Sequence, residues 1–263
     1  MRKEGFLMLA RLFILSGLIF ISLSSFPPVS SSADYYPLQT EFPNHMLYQA
    51  QIKDKMIALT FDDGPDQKYT PGLLDILNKH QIKATFFLMG SRVAKYPEVT
   101  RRMVNEGHAI GNHTYWHPNL AEADIHQMEW EINHTNNQIY QATGRTTPWF
   151  RAPYGALNEQ QVLSLGFLGY KGIGWSIDTE DWKGPGEKAI TRQVIHNVHP
   201  GAIVLMHNAG HWTQDLSGTV EALDELIPLL KRNGYQFVTI PQMWQLHHHG
   251  HDSSQHAEEK SLK

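Results

Sequence analysis

The chain has 263 residues, 41% hydrophobic and 18% charged, enough for one sizeable packed domain or two small ones. A formal charge of −4 without a long basic stripe argues against a nucleic-acid partner, and 0 cysteines exclude disulfides, thiolate metal sites, a cysteine nucleophile and a lipid-modified cysteine. The first element is the N-terminus itself. It has a basic start at Met1-Arg2-Lys3, an uncharged run LFILSGLIFISL over residues 12–23, and a small, polar SSFPPVSSSA ending at Ala33. This three-part layout predicts a secretory signal over residues 1–33 and a mature protein that is secreted or cell-wall associated. An uncleaved membrane anchor is the competing reading, because only Arg11 interrupts the apolar stretch from Gly5 to Leu23.

Residues 34–53 carry Pro and Tyr without a clear period and read as a lead-in or linker. From Met56 onward, β-like runs alternate with helix-like stretches. The strand candidates are MIALTF, ATFFLMG, HAIGN, PWFRA, GYKGIGWSI, AIVLMH and YQFVTI. Between them lie TPGLLDILNKH, VTRRMVNEG, IHQMEWEINHTNNQIYQATG and TVEALDELIPLLKRNG, several ending in the Gly, Lys, Arg or Asn expected at helix C-termini. Strands alternating with helices predict a parallel α/β sheet or barrel rather than a sandwich. Residues 54–246 form the expected domain, and the polar, His-rich 247–263 reads as a disordered tail.

In parallel α/β barrels, functional groups gather at the C-terminal ends of the strands. The polar clusters of this chain fall there. Asp62 and Asp63 end the first strand, His113 follows the third, Arg151 ends the fourth, Asp178 to Trp182 follow the fifth, and His207 ends the sixth. Adjacent carboxylates before Gly64-Pro65 suit an ordinary turn, but they also suit a division of labour in which one holds a cation and the other moves a proton. His113 and His117, four apart, can share a cation on a helical turn, and with a strand-end Asp they make the two-His-one-carboxylate set of catalytic zinc sites. Thr114 is placed to brace that loop through its hydroxyl. Arg151 suits orientation of a carboxylate by paired hydrogen bonds, against an ordinary ion pair. Trp116, Trp149, Trp182 and Trp212 lie in or beside these loops and offer faces for sugar rings or simply for packing.

Taken in order, TFDDG, HTxxH, RxPY, DxxDW and an apolar strand ending in His resemble the polysaccharide deacetylases of carbohydrate esterase family four, the NodB-homology domain, over about residues 54–246. The resemblance implies a distorted (β/α) barrel, often of seven parallel strands, and metal-dependent removal of N-acetyl or sometimes O-acetyl groups from glycans. It assigns Asp63, His113 and His117 to one divalent metal, zinc first, with cobalt, nickel or manganese as alternatives. Asp62 becomes the general base, Arg151 the residue that positions it, and His207 the general acid tuned by Asp181. The backbone amide of Tyr154 would help hold the oxyanion. Trp182 and the apolar residue before His207 would line the acetate pocket, Leu205 being preferred over Val204. The expected substrate is peptidoglycan or a chitin-like N-acetylglucosamine polymer, with membrane contact only through an uncleaved N-terminal segment. Alternatives are an O-acetyl esterase on xylan or another acetylated glycan, a non-catalytic glycan-binding relative, and a metal-dependent phosphoesterase.

Overall fold

The computed structural model describes residues 36–249, so the expected signal over 1–33 and most of the expected tail lie outside the described residues. Among those described, no helix is long and apolar enough to cross a membrane. The centre is β2 (Met56–Asp62), a nearly continuous apolar run of the kind that suits a strand covered on both faces. Its register pairs Asp62 with His207, the last residue of β8 (Ala202–His207). On the other side it pairs β3 (Thr85–Leu88) near its C-terminal end and β9 (Gln236–Phe237) at its start. The sheet continues from β3 through β4 (Ala109–Asn112) and β5 (Trp149–Phe150) to β6 (Lys171–Ile173). All strand pairs are parallel, and helices fill the crossovers, as the alternating pattern requires.

The seven expected strands are all present, in a curled sheet of nine. One addition comes from GYKGIGWSI, which is not one strand. Lys171–Ile173 pairs with β5, whereas β7 (Ile177–Asp178) pairs with β8, so this interrupted segment carries the sheet round on itself. The other is β1 (Met46–Leu47), which pairs with β6 and corrects the linker assigned to residues 34–53. That segment begins with a short helix, α1 (Pro37–Glu41), and buries Leu47 and Ala50 among Ala58, Phe87 and Ile203. It packs closely because Gly172 and Gly174 lack side chains where Met46 and Tyr48 approach.

Side-chain alternation divides the core into two layers. Ile57, Leu59 and Phe61 of β2, with Val204 and Met206 of β8, face helices α2 (Thr70–Lys79), α7 (Glu187–Asn197) and α8 (Ser217–Arg232). Ala58 and Ile203 face the interior instead, where Thr60 and Asp62 and then Leu205 and His207 continue toward the rim. Besides α7, the sequence patterns also left α6 (Glu159–Phe167) unassigned, although Asn158 and Gln161 form a capping box there. At the other end of the domain, helical backbone runs over 240–249, past the expected boundary at 246. His247 is buried, and its Nδ1 accepts from the Gln51 amide at 3.2 Å, so the folded body includes the start of the expected tail.

Candidate active site

The end of β2 presents two carboxylates in different environments. Asp62 is buried, and its Oδ1 accepts from Arg151 Nη1 at 2.8 Å. Arg151 is 1% exposed, so its charge must be met locally. The same nitrogen donates to Thr60 Oγ1, Nε to the Ile173 carbonyl, and Nη2 to the Gly174 carbonyl. The guanidinium lies 4.2 Å from the centre of the Phe87 ring. Phe87 fits because a β-carbon on Gly111, in the next strand, would come within 2.4 Å of its ring.

Asp63 turns away from this pair in a left-handed backbone conformation with φ of 72°. Its Oδ1 is buried without a hydrogen-bond partner and lies 3.4 Å from His113 Nε2 and 3.3 Å from His117 Nε2. Burial by itself would raise the Asp63 pKa, but the close approach and charge of His113, with His207 and His117, hold it well below the usual carboxylate range. His113 Nδ1 donates to the Arg151 carbonyl at 2.8 Å, because a carbonyl can only accept, which leaves the Nε2 lone pair facing Asp63. Burial and the neighbouring His113 lower His117 to about 4, so it is a neutral imidazole near neutral pH. Burial also disfavours protonation of His113, yet Asp62 and Asp63 overcome this and raise its pKa, and a cation would compete with that proton for Nε2.

One oxygen and two nitrogens within 4.8 Å of one another, including a buried anionic oxygen with nothing to satisfy it, fit a divalent cation. The spacing of the two histidines does not arise from a helical turn. His113 directly follows β4, and the loop after it contains Thr114 and His117 at φ of 64° and 62°. Thr114 does brace this loop, its Oγ1 accepting from the His117 amide at 3.0 Å. A further brace had no signal in the sequence. Glu131, buried on α5 (Ile125–Thr143), accepts with Oε2 from the amides of Tyr115 and Trp116 at 2.6 and 2.8 Å. A Glu within a helical pattern reads as a solvated face, and only the packing of α5 against the loop shows otherwise.

His207 stands opposite, at the end of β8. Its Nδ1 donates to Asp181 Oδ1 at 2.7 Å, and its amide donates to Oδ2 at 2.8 Å. Thr219 Oγ1 also donates to Oδ2, locking the carboxylate. Burial opposes the charge on His207, but Asp181 prevails and raises its pKa to about 9. The imidazolium is therefore the dominant form at neutral pH, with Nε2 as the remaining donor.

The rim encloses a cleft of about 670 Å³. Asp62, Asp63, His113, His117, Tyr154, Trp182, Leu205 and His207 line it, while Arg151 and Asp181 stand directly behind through their hydrogen bonds. All ten expected residues thus meet at one place. Tyr154 occupies a left-handed turn at φ of 59° and its ring packs edge-on to His117. Leu205 shares the interior face with His207, whereas Val204 belongs to the outer core, which decides between them. Trp116 lines the cleft, but Trp149 packs beneath it against Trp244. Asn208 was not anticipated. It ties the Gly64 amide to Thr70 and so fixes the loop that carries Asp63.

Known proteins are similar to this chain in sequence and fold. The profile of the polysaccharide deacetylase family matches residues 49–173. A peptidoglycan-N-acetylglucosamine deacetylase of Bacillus cereus is 44% identical over 191 residues, covering 72% of this chain and 68% of that protein. The crystal structure of the Bc1960 peptidoglycan N-acetylglucosamine deacetylase superposes with a TM-score of 0.76 at 40% identity, over 78% of this chain and 96% of the other. BA3943 of Bacillus anthracis, described as a CE4 family pseudoenzyme, gives a TM-score of 0.71 at 34% identity, over 76% of this chain and 69% of the other.

Proposed function

The chain belongs to the polysaccharide deacetylase family and is a hydrolase of acetyl amides, and from that premise we propose that it is an exported, metal-dependent enzyme that removes N-acetyl groups from cell-wall peptidoglycan or a chitin-like N-acetylglucosamine polymer. One observation carries the metal dependence: the buried, unsatisfied Asp63 Oδ1 facing two imidazole nitrogens, between a carboxylate–guanidinium pair and a carboxylate–imidazolium pair. A pseudoenzyme among the similar folds means that likeness alone does not carry activity. The complete set of acid, base and ligand groups favours turnover over the non-catalytic alternative.

Amide hydrolysis needs an activated water, a stabilised oxyanion and a proton for the departing amine. Asp63, His113 and His117 would hold a divalent metal, zinc being the proposed ion, which when bound lowers the pKa of water and polarises a carbonyl. Asp62 is the base. Arg151 occupies its Oδ1, leaving Oδ2 to take a proton from water. His207 is the acid, holding a proton on Nε2 toward the cleft while Asp181 fixes the ring through Nδ1. The Tyr154 amide would donate to the oxyanion, and Trp182 and Leu205 would enclose the acetyl methyl group. Export rests on the three-part N-terminus.

Mass spectrometry of purified peptidoglycan and of N-acetylglucosamine oligomers, after incubation with the protein, tests the reading. Loss of one acetyl mass per modified sugar with stoichiometric acetate is expected, abolished by a chelator and restored by zinc. Full turnover by protein shown by elemental analysis to be metal-free would refute the metal dependence. Acetate from O-acetylated xylan alone would replace the N-deacetylase reading with the esterase.

A further inference from the structure

Arg92 is a cleft residue to which neither the sequence motifs nor the mechanism gives a task. It lies on α3 (Gly90–Lys95), one turn beyond β3, and is the one Lys or Arg side chain among the described residues that line the cleft. Two other arginines are matched by acids. Arg102 bridges Asp75 and Glu106, and Arg151 pairs with Asp62. Among the described residues Arg92 has no carboxylate partner. Its recorded side-chain bond is Nη2 to the Gly210 carbonyl, at 2.7 Å. A guanidinium has five N–H donors, so most of the fork stays available to a ligand. The bond to Gly210 joins α3 to the loop after β8 across the end of β2 and fixes where the charge stands.

The charges around Arg92 favour an anion as the ligand. Asp62 is neutralised by Arg151, Asp63 faces two imidazoles, and Asp178 accepts from the Glu180 amide. Arg92 comes from the helix after β3 and reaches the loop after β8, while Trp116 and Tyr154 come from the loops after β4 and β5. A glycan strand lying through the cleft, with one acetamide at Asp63 and His207, would bring a neighbouring sugar to Arg92. We propose that Arg92 is a specificity-determining residue that binds a carboxylate on that sugar, so that the substrate is an acidic, carboxylate-bearing N-acetylated glycan rather than a neutral one. This rests on the deacetylase reading and narrows it. A peptidoglycan strand offers such a group on the lactyl ether of the neighbouring sugar or on its attached peptide, whereas an N-acetylglucosamine homopolymer offers only neutral hydroxyls and acetamides. A planar fork matches a carboxylate with two parallel charged hydrogen bonds.

Titration calorimetry tests this with four probes: a peptide-free peptidoglycan tetramer, the same tetramer with its carboxyls converted to methyl amides, a peptide-bearing strand, and a neutral N-acetylglucosamine tetramer. The parent protein should bind the free carboxylate at least about tenfold more tightly than its amide, as a charged hydrogen-bonded pair warrants. Arg92→Gln should erase that preference, and Arg92→Lys, which keeps the charge without the fork, should recover part of it. Tighter binding of the peptide-bearing strand would place the carboxylate on the peptide, and tighter binding of the peptide-free one would place it on the lactyl group. An equal loss of affinity for all four probes in Arg92→Gln would show that the residue only ties the two loops together and would overturn the proposal. So would a parent protein indifferent to amidation. Acetate release is followed in parallel. Its absence from every probe would defeat the deacetylase reading, while the binding comparison would still answer for Arg92.

Discussion

Asp62 and Asp63 are neighbours in sequence, and the groups around them give them different chemistry. Asp62 is fixed by Arg151 and Asp63 faces His113 and His117, so replacing each with Asn should fail differently. Asp62→Asn keeps all three side chains proposed to bind the metal, and the expected outcome is a loss of rate of about 10²–10⁴-fold with metal content unchanged. Asp63→Asn replaces the proposed anionic ligand by a neutral one, so metal affinity itself should fall and excess zinc should restore part of the rate. Metal content and kcat measured on both variants check this, and equal metal loss in the two would reverse the assignment. His207 allows a second test. Asp181 raises it to about 9, so removing that negative charge should lower the His207 pKa and leave less imidazolium at a given alkaline pH. The alkaline limb of kcat/KM in Asp181→Asn is therefore expected to move to lower pH, with a rate loss of about 10²-fold or more from the freed ring. An unmoved limb would separate Asp181 from the acid.

Single elements carry consequences of their own. The alternation of β8 sends Leu205 and His207 into the cleft and Val204 and Met206 under the helices, so one strand supplies both wall and core. The final helical segment is as informative. His247 fastens it to Gln51, and His248 stacks on Trp244 with ring centres 4.5 Å apart. A chain ended at residue 249 should match the parent in stability. One ended at 246 loses a buried hydrogen bond and an aromatic contact and should be about 1–3 kcal/mol less stable. For a domain of this size each kcal/mol lowers Tm by about 2–4 °C, within reach of thermal melts. Equal melting of both truncations would show that the helix end contributes nothing.

At the scale of the whole molecule, the barrel separates a catalytic rim from a base that only supports it. His108, just before β4, is buried at that base, and its Nδ1 accepts from the Ala84 amide at 3.1 Å. Burial lowers its pKa from 6.5 to about 4, with Lys83 and Arg102 acting in the same direction. The sign follows from linkage. Between pH 6.5 and 4 the unfolded chain takes up a proton that the folded one refuses, so stability falls as pH falls through that window. In His108→Asn, whose Oδ1 can still accept from Ala84, that loss should shrink. Urea midpoints at pH 7 and pH 5 should show the parent losing about 2 kcal/mol more than the variant. A parallel fall in both would exclude His108 as the cause.

Sequence by itself determined the class of the fold, because strand-like runs alternating with helical ones permit few packings other than a helix-covered parallel sheet. It also placed Asp62, Asp63, His113, Arg151 and His207 at one rim, since the C-terminal ends of parallel strands must converge. Tertiary structure decided whatever depends on partners distant in the chain. The two-residue β1 has no period to detect and exists because Gly172 and Gly174 admit Met46 and Tyr48. The division of GYKGIGWSI follows from its having different neighbours on its two halves. The roles of Glu131 and Asn208 come from loops they meet only after folding. Arg92 has an unmatched charge in the cleft because α3 and the loop after β8 meet across β2, a juxtaposition that no local pattern encodes.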